Sequence, residues 1–426
     1  MNCVNTENWR YMKQRIKYIT ALLGLLPAGL LAQPTTLSLD TILQRIERNN
    51  LLLQTYELKA VSYKYRAEAS TAWMPPMVGV GTFMTPYPGQ KPMPAEKGSI
   101  MLAIEQDIPS KAKLNARRKY IESQGNIERA TRDITLNDFK AQAKRLYYNW
   151  LIAGQRKRLL EQNGQILVTM KKIEEVRYPY NQSQLGSVYK TEAKIEENHN
   201  MMHMQEGIIA KARAWLNSLM NAPGNEIFDI DTNYTPLFSA IGSYDTAALS
   251  TARKDVLKMN ESIRSMQLNI ESMKLQRKPD LRIRYDNMFP LGSGMPKAYS
   301  IMGMVSIPIV PWSSRMYKSE IRAMEYDVQS MEKEKAAMLQ ETQGMLYGMQ
   351  SEIETMQMHI KAIEEKVIPA LQKALEANFI TYQENKMPLT TVIDSWEALT
   401  MMQMNVLDEK LKLYEMIVDY EKELFR

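Results

Sequence analysis

The sequence predicts a mainly α-helical chain with a small β part, built as two similar halves. Three observations carry the prediction. A block of residues recurs 204 positions along the chain without a gap: Val176-Arg177-Tyr178-Pro179-Tyr180-Asn181, Leu185 and Val188 fall on Ile380-Thr381-Tyr382-Gln383-Glu384-Asn385, Leu389 and Val392. At the same offset Pro75-Pro76-Met77 falls on Pro279-Asp280-Leu281. A period this long duplicates a whole architectural half, because solenoid repeats are much shorter. Each half then runs in one order: a helical stretch, two short strands, a very long helical stretch, a tight turn and another helix. Finally, Met324, Met331, Met338 and Met345, like Met259, Met266 and Met273, recur every seven residues. That spacing sets a flexible thioether along a seam between packed helices.

The N-terminus reads differently from the rest. Arg10, Lys13, Arg15 and Lys17 precede an apolar run over 19–31 that ends at Ala32-Gln33-Pro34. This is the pattern of an export signal over 1–32, cut after Ala32, with Met12 as a second candidate start. The run is too short for a membrane-spanning helix, which needs about 20 apolar residues. Losing the segment removes four basic residues and Glu7, and lowers the net charge from +6 to +3. So weak a basic balance argues against a nucleic-acid partner. The one cysteine, Cys3, lies upstream of the apolar run, so the exported product has no disulfide. No later segment is apolar for long enough to span a bilayer as a helix.

In the first half, covering 33–220, a helix is expected over 40–73, a hairpin over 77–108 with strands at 77–87 and 99–108, a long helix over 111–178, a turn, and a helix over 183–219. A linker over 221–244, rich in turn residues, joins the halves. The second half, 245–426, repeats the series: a helix over 246–277, a hairpin over 281–309 with strands at 281–289 and 299–309, a long helix over 313–380, a turn, and a helix over 389–424. In both halves the two shorter helices together match the long one, giving rods of about 100 Å at 1.5 Å per residue. Gly154, Gly164, Gly344, Gly348 and Pro369 are the expected places for bends.

The hairpins carry the second part of the argument. Leu281, Ile283, Tyr285 and Phe289 alternate with Arg282, Arg284 and Asp286. Segments of about ten residues with one apolar and one polar face are the signature of a transmembrane barrel. A hairpin packed on a soluble core, with its charged face wet, shows the same alternation. Four strands cannot close a barrel alone and lipid does not tolerate open edges, so a membrane hairpin requires several copies of the chain. Two, three and four copies are all compatible with the pattern. In a barrel, the Arg282, Arg284 and Asp286 face lines the lumen and biases ion traffic. Tyr87 and Phe289 are candidates for an aromatic girdle.

This order of elements, together with Leu37-Ser38-Leu39-Asp40-Thr41-Ile42-Leu43, the proline-to-strand junctions after Trp73 and Lys278, and the two tyrosine-bearing helix turns, resembles the TolC-like family of outer-membrane efflux channels. The resemblance implies a homotrimer. Four strands from each chain would build a 12-stranded β-barrel in outer-membrane lipid, continued in the periplasm by an α-barrel tunnel of coiled-coil helices. It also implies two partners: a periplasmic adaptor protein and an inner-membrane pump of the resistance-nodulation-division type. By the same resemblance the helix turns form the periplasmic entrance, with Tyr178, Asn181, Tyr382, Asn385 and Asp394 at its tip. Asn181 and Asn385 stand where the family has glycine, and asparagine is the next most tolerant residue of left-handed backbone. Tyr382 matches a constricting tyrosine and Asp394 one of two acidic ring positions; Thr391 takes the other, and Met387 a basic gating position. The charge network at this entrance is therefore thinner than the family's.

The function expected is export of drugs or metal ions through the outer membrane. Channels for protein secretion and periplasmic structural coiled coils are the alternatives. No cofactor is expected and no enzymatic activity: past Cys3 the chain offers three histidines, no cysteine, no phosphate loop and no nucleophile motif. One soft-metal site is a candidate. His199 and His203 lie one helical turn apart with Met202 beside the second, and imidazole with thioether suits Cu(I) or Ag(I).

Overall fold

The computed structural model describes residues 35–180, 185–240 and 244–425. The expected export signal and Asn181 lie outside the described residues. In chain order the elements are β1 (Thr35–Leu37), α1 (Leu39–Asn49), α2 (Leu51–Ala69), β2 (Met77–Phe83), β3 (Ser99–Ile108), α3 (Lys111–Arg177), α4 (Leu185–Leu219), β4 (Phe228–Ile230), α5 (Thr246–Ala252), α6 (Lys254–Lys274), β5 (Leu281–Pro290), β6 (Ala298–Val305), α7 (Pro311–Ala362), a π-turn (Ile363–Val367), α8 (Ile368–Gln383) and α9 (Leu389–Glu423).

Burial in the helices recurs at seven-residue spacing. The buried stripes are Leu53, Ala60 and Ala67 on α2, Val256, Ile263 and Ile270 on α6, and Val392, Leu399, Val406, Leu413 and Tyr420 on α9. A strict heptad keeps one face against its partner only if the helices supercoil. The 67-residue α3 is the central rod, packed against α2, α4, α6 and α9. At 1.5 Å per residue it is about 100 Å long. Gly154 and Gly164 sit inside it without breaking it. The methionines at 259, 266 and 273 are half-buried beside the apolar stripe of α6, as expected of seam residues.

Each first helix, expected unbroken, is interrupted. Asn50 is extended (φ −65°, ψ 122°); its Oδ1 accepts from the backbone of Leu52 at 3.0 Å and Leu53 at 3.4 Å, while Nδ2 donates to the Leu219 carbonyl at 3.0 Å. One side chain thus caps the start of α2 and the end of α4. Arg253 takes the same extended conformation (φ −74°, ψ 125°), its buried guanidinium held by Asp255 at 2.6 Å and Glu423 at 2.9 Å. The last long rod is also divided. Pro369 has no N–H and would clash with the carbonyl four residues back, and the chain opens into the π-turn just before it.

The segment over 221–244, expected as a linker, contributes β4, which pairs in parallel with β1 from Thr35 opposite Phe228 to Leu37 opposite Ile230. It also packs aromatic rings on the rods: Tyr234 stacks on Tyr148 at 6.1 Å, and buried Tyr244 shares a 2.6 Å hydrogen bond with the Tyr420 hydroxyl. These contacts fall near the middle of α3; at the end of the rods where α3 begins, β2, β3, β5 and β6 form one antiparallel sheet in that order. Both outer strands are shorter than expected. β2 stops at Phe83, before Met84 with φ +51° and two prolines, and β6 stops at Val305, ahead of Pro308. Proline has no N–H to offer a ladder.

Candidate functional site

Two places on the rod bear the candidate functional residues: the sheet at one end and the helix turns at the other. Residues directly opposite each other on paired strands point to the same face, so the register assigns every side chain of the sheet. One face carries Val78, Val80, Ile100, Leu102, Ile104, Leu281, Ile283, Tyr285, Phe289, Tyr299, Ile301 and Val305. Among the described residues all of these but the half-buried Leu102 are exposed; Val80 is 76% and Ile301 68% exposed. The reverse face bears the charges. Arg282 lies opposite Asp107 and Arg284 opposite Glu105. Arg282 bonds Asp107 at 2.6 Å and Glu105 at 2.7 Å, and Arg284 bonds Asp286, which is 5% exposed, at 2.9 Å. The structure therefore gathers Arg282, Arg284 and Asp286 on one face, as their alternation predicts, and adds Glu105 and Asp107. Those two acids share the two-residue spacing of the arginines, the one signal by which sequence could have found them. Phe289 lies on the apolar face; Tyr87 is in the loop beyond β2.

At the far end, α8 closes with a left-handed residue. Asn385 has φ +61°, its N–H donates to the Tyr382 carbonyl at 2.9 Å, and the Lys386 N–H reaches back to Thr381 at 3.1 Å. This is the paired-bond helix stop that usually takes glycine, and asparagine fills it as its sequence position suggests. Tyr382, however, does not project from the turn. It is 2% exposed, donates its hydroxyl to buried Glu174 of α3, and has the Arg177 guanidinium 4.7 Å above its ring. Arg177 also donates to the carbonyls of Tyr382 at 3.2 Å and Gln383 at 2.8 Å, at the end of α8 where carbonyls run out of intrahelical partners. Burial, then the neighbouring Glu174, push the Tyr382 phenol well above its ordinary value, so it stays a neutral donor. We term this arrangement the clasp. Glu174, Arg177, Tyr382, Asn385, Met387 and Leu389 line a cleft of about 500 Å³ beside it.

Tyr178, the repeat mate of Tyr382, is 44% exposed, and Asp394 is exposed on α9. Sequence reasoning missed Glu174 and Arg177, whose roles depend on contacts across more than 200 residues. Behind the tip, Trp396 donates its indole N–H to the Asn163 carbonyl at 3.0 Å, and Asn163 Nδ2 donates to Thr400 at 3.0 Å and Gln403 at 2.9 Å.

The candidate soft-metal residues stand apart from both places. His199 and His203 are exposed on α4; His203 Nδ1 lies 3.1 Å from Glu206 and His199 Nδ1 lies 3.9 Å from Glu196. Met202 is half-buried. Among the described residues no group of three His, Cys, Asp or Glu side chains is placed to hold a metal ion.

The whole rod with its sheet has counterparts of known structure. It is similar to the outer-membrane protein VceC of Vibrio cholerae, with a TM-score of 0.68 at 13% identity over 91% of this chain and 95% of that one. It is likewise similar to the open state of the Neisseria gonorrhoeae MtrE outer-membrane channel, with a TM-score of 0.68 at 14% identity over 91% of this chain and 88% of that one. A third likeness is to CusC, whose structures concern transmembrane channel formation, with a TM-score of 0.73 at 13% identity over 93% and 95% of the two chains. No protein-family model and no curated protein matches the sequence. The chain has the fold that these outer-membrane channels share.

Proposed function

We propose that the chain is the outer-membrane channel of a tripartite efflux system, a passive conduit for drugs or metal ions. The observation that carries this reading is the four-stranded sheet with two open edges and one uncovered apolar face. In water such a face and such edges are liabilities; in lipid the face is required, and closure removes the edges. In this reading three copies join their sheets into a 12-stranded barrel in the outer membrane, with the Arg282, Arg284 and Asp286 face in the lumen. The helices continue it as a periplasmic tunnel. Its entrance is the end that bears Tyr178, Asn181, Tyr382, Asn385 and Asp394, where a periplasmic adaptor and an inner-membrane pump, of the resistance-nodulation-division type, deliver cargo.

The test is direct. The exported protein should require detergent for extraction, run as a heat-sensitive trimer, and produce discrete conductance steps in a planar bilayer. A monomer released by osmotic shock, with no conductance, would mean that the hairpins do not enter the membrane.

A further inference from the structure

The first turns of α3 gather charge of one sign. Lys111, Lys113, Arg117, Arg118 and Lys119 fall within ten residues that hold no acid, and of these only Lys113 has a carboxylate partner among the described residues, Asp280 at 2.8 Å. Further along the rod, cations of α3 are matched across helices: Lys140 with Glu47 at 3.6 Å, Lys144 with Glu421 at 2.6 Å, Lys157 with Glu206 at 2.8 Å and Lys171 with Glu192 at 3.0 Å. The end beneath the sheet therefore keeps positive charge that the described chain does not neutralise.

Part of this charge converges on one cleft. Lys119, Glu122 and Arg129 share one face of α3, and Lys64 of α2 and Arg264 of α6 reach the same cleft from the two flanks. The three helices pack through small residues there: a Cβ on Gly125 would stand 3.1 Å from the Ala60 carbonyl oxygen, and buried Ser123 donates its hydroxyl to Ser265 at 2.8 Å. Both flanking helices thus sit close against α3, and the long side chains stand around a cleft of about 460 Å³ that has Ala60 and Leu268 among its walls. Its charged lining is four cations against one carboxylate, Glu122. Lys64, Lys119 and Arg264 make no ion pair or hydrogen bond among the described residues. A cleft bordered by both neighbours of α3 lies on the concave side of the three-helix layer, and the concave side of a closed tunnel is its lumen.

We propose that this cleft binds small organic polyanions in transit, molecules with two or more phosphate, sulfonate or carboxylate charges on a partly apolar body. A cleft lined by one sign of charge focuses the field and concentrates counter-ions. The Arg264 guanidinium can take an oxyanion in paired hydrogen bonds, Lys64 and Lys119 add point charges, and Ala60 and Leu268 receive the apolar part. The volume is that of a small-molecule site. Water and salt reach these groups and screen them, so the hold is weak enough for release. The inference deepens the channel reading and rests on it, because only a closed tunnel makes the cleft lumenal; it adds that the cargo is anionic.

The probe is pyranine, a fluorescent pyrene trisulfonate, whose anisotropy reads binding to the purified protein in detergent. Lys64→Gln/Lys119→Gln/Arg264→Gln should weaken binding about tenfold or more while still forming heat-sensitive trimers. Lys111→Gln/Arg117→Gln/Arg118→Gln removes the same charge from outside the cleft and should leave the affinity within about twofold of wild type. Glu122→Gln removes the one opposing charge and should tighten binding about fivefold, a gain that a misfolded protein would not show. In a planar bilayer pyranine should reduce the wild-type current, and the cleft variant should need about tenfold more dye for the same block. Absence of binding in the wild type overturns the proposal, and so does binding that the cleft substitutions leave unchanged. Equal weakening by both triple variants reduces the effect to diffuse charge at the end of the rod and overturns it as well. Channels that conduct but are indifferent to pyranine overturn the lumenal placement. Absence of conductance in the wild type overturns the channel reading and the transit role with it, whereas the anisotropy series reads the cleft by itself.

Discussion

Replacing Tyr382 by phenylalanine isolates one bond of the tip clasp. The ring stays, and with it the Arg177 guanidinium 4.7 Å above it; only the hydroxyl that donates to Glu174 is lost. A hydrogen bond to a charged acceptor contributes about 1.5–3 kcal/mol, and here both partners are almost wholly buried, Tyr382 at 2% and Glu174 at 3% exposure. Every 1.4 kcal/mol is tenfold in an equilibrium constant, so local opening of α8 should become about ten to a hundred times more frequent. Native-state hydrogen exchange reads this directly. Amides near the end of α8 should lose one to two decades of protection in Tyr382→Phe, while those in the middle of α3 stay unchanged.

The pH dependence has a definite sign. The folded state holds the phenolic proton more tightly than the unfolded chain, so this stabilisation is complete below the ordinary tyrosine value of 10.0 and fades as pH rises past it. The variant and the wild type should therefore converge only in strong alkali. Equal exchange in both at neutral pH would show that the hydroxyl does not hold α8 onto α3, and the clasp would reduce to ring packing.

Two further predictions test the sheet and the core. Val80→Arg, on the apolar face, should cost about 2–4 kcal/mol in the membrane and abolish heat-sensitive trimers, whereas Ser300→Arg on the reverse face should assemble and only alter conductance; equal tolerance of both would refute the face assignment. Burial, with Asp231 next in effect, raises the Tyr147 phenol to about 12, so absorbance at alkaline pH should show it titrating late, and Tyr147→Phe should remove that late component and the stability lost between the ordinary tyrosine value and this one.

How much of this was legible in the sequence follows from the range of the interactions. Period-two alternation in 281–289 placed the arginines opposite the aliphatic residues because a strand imposes that geometry locally. The left-handed asparagine at 385 was legible for the same reason. Strand register was not legible, because it depends on how two distant hairpins meet; the pairing of Arg282 with Asp107 followed only from it. The spacing of His199 and His203 on one helix suggests ligands, but Glu196 and Glu206 stand beside the two rings. The breaks at Asn50 and Arg253 were missed because neither is glycine or proline. They lie 203 residues apart, within one position of the repeat offset, so aligning the two halves residue by residue offers the signal that composition lacks.

The π-turn explains why the repeated tyrosine is exposed in one half and buried in the other. On α7 the inward stripe is Leu346, Ile353 and Ile360; on α8 it is Leu375 and Tyr382. From Ile360 to Leu375 is fifteen residues, one more than two heptads, and one extra residue is what a π-turn inserts. Without it the stripe would continue through Thr381 and Tyr382 would be turned aside by about 100°. The unbroken α3 has no such insertion; its stripe of Leu160, Leu167 and Glu174 passes Tyr178 by, and that ring is 44% exposed. Deleting Lys366 together with Pro369→Ala should restore a continuous α-helix and rotate Tyr382 out of the clasp. Alkaline titration checks it, since one more tyrosine should then ionise near 10.0, the value from which burial displaces Tyr382. An unchanged titration curve would show that packing at the tip, and not helix phase, sets the direction of this side chain.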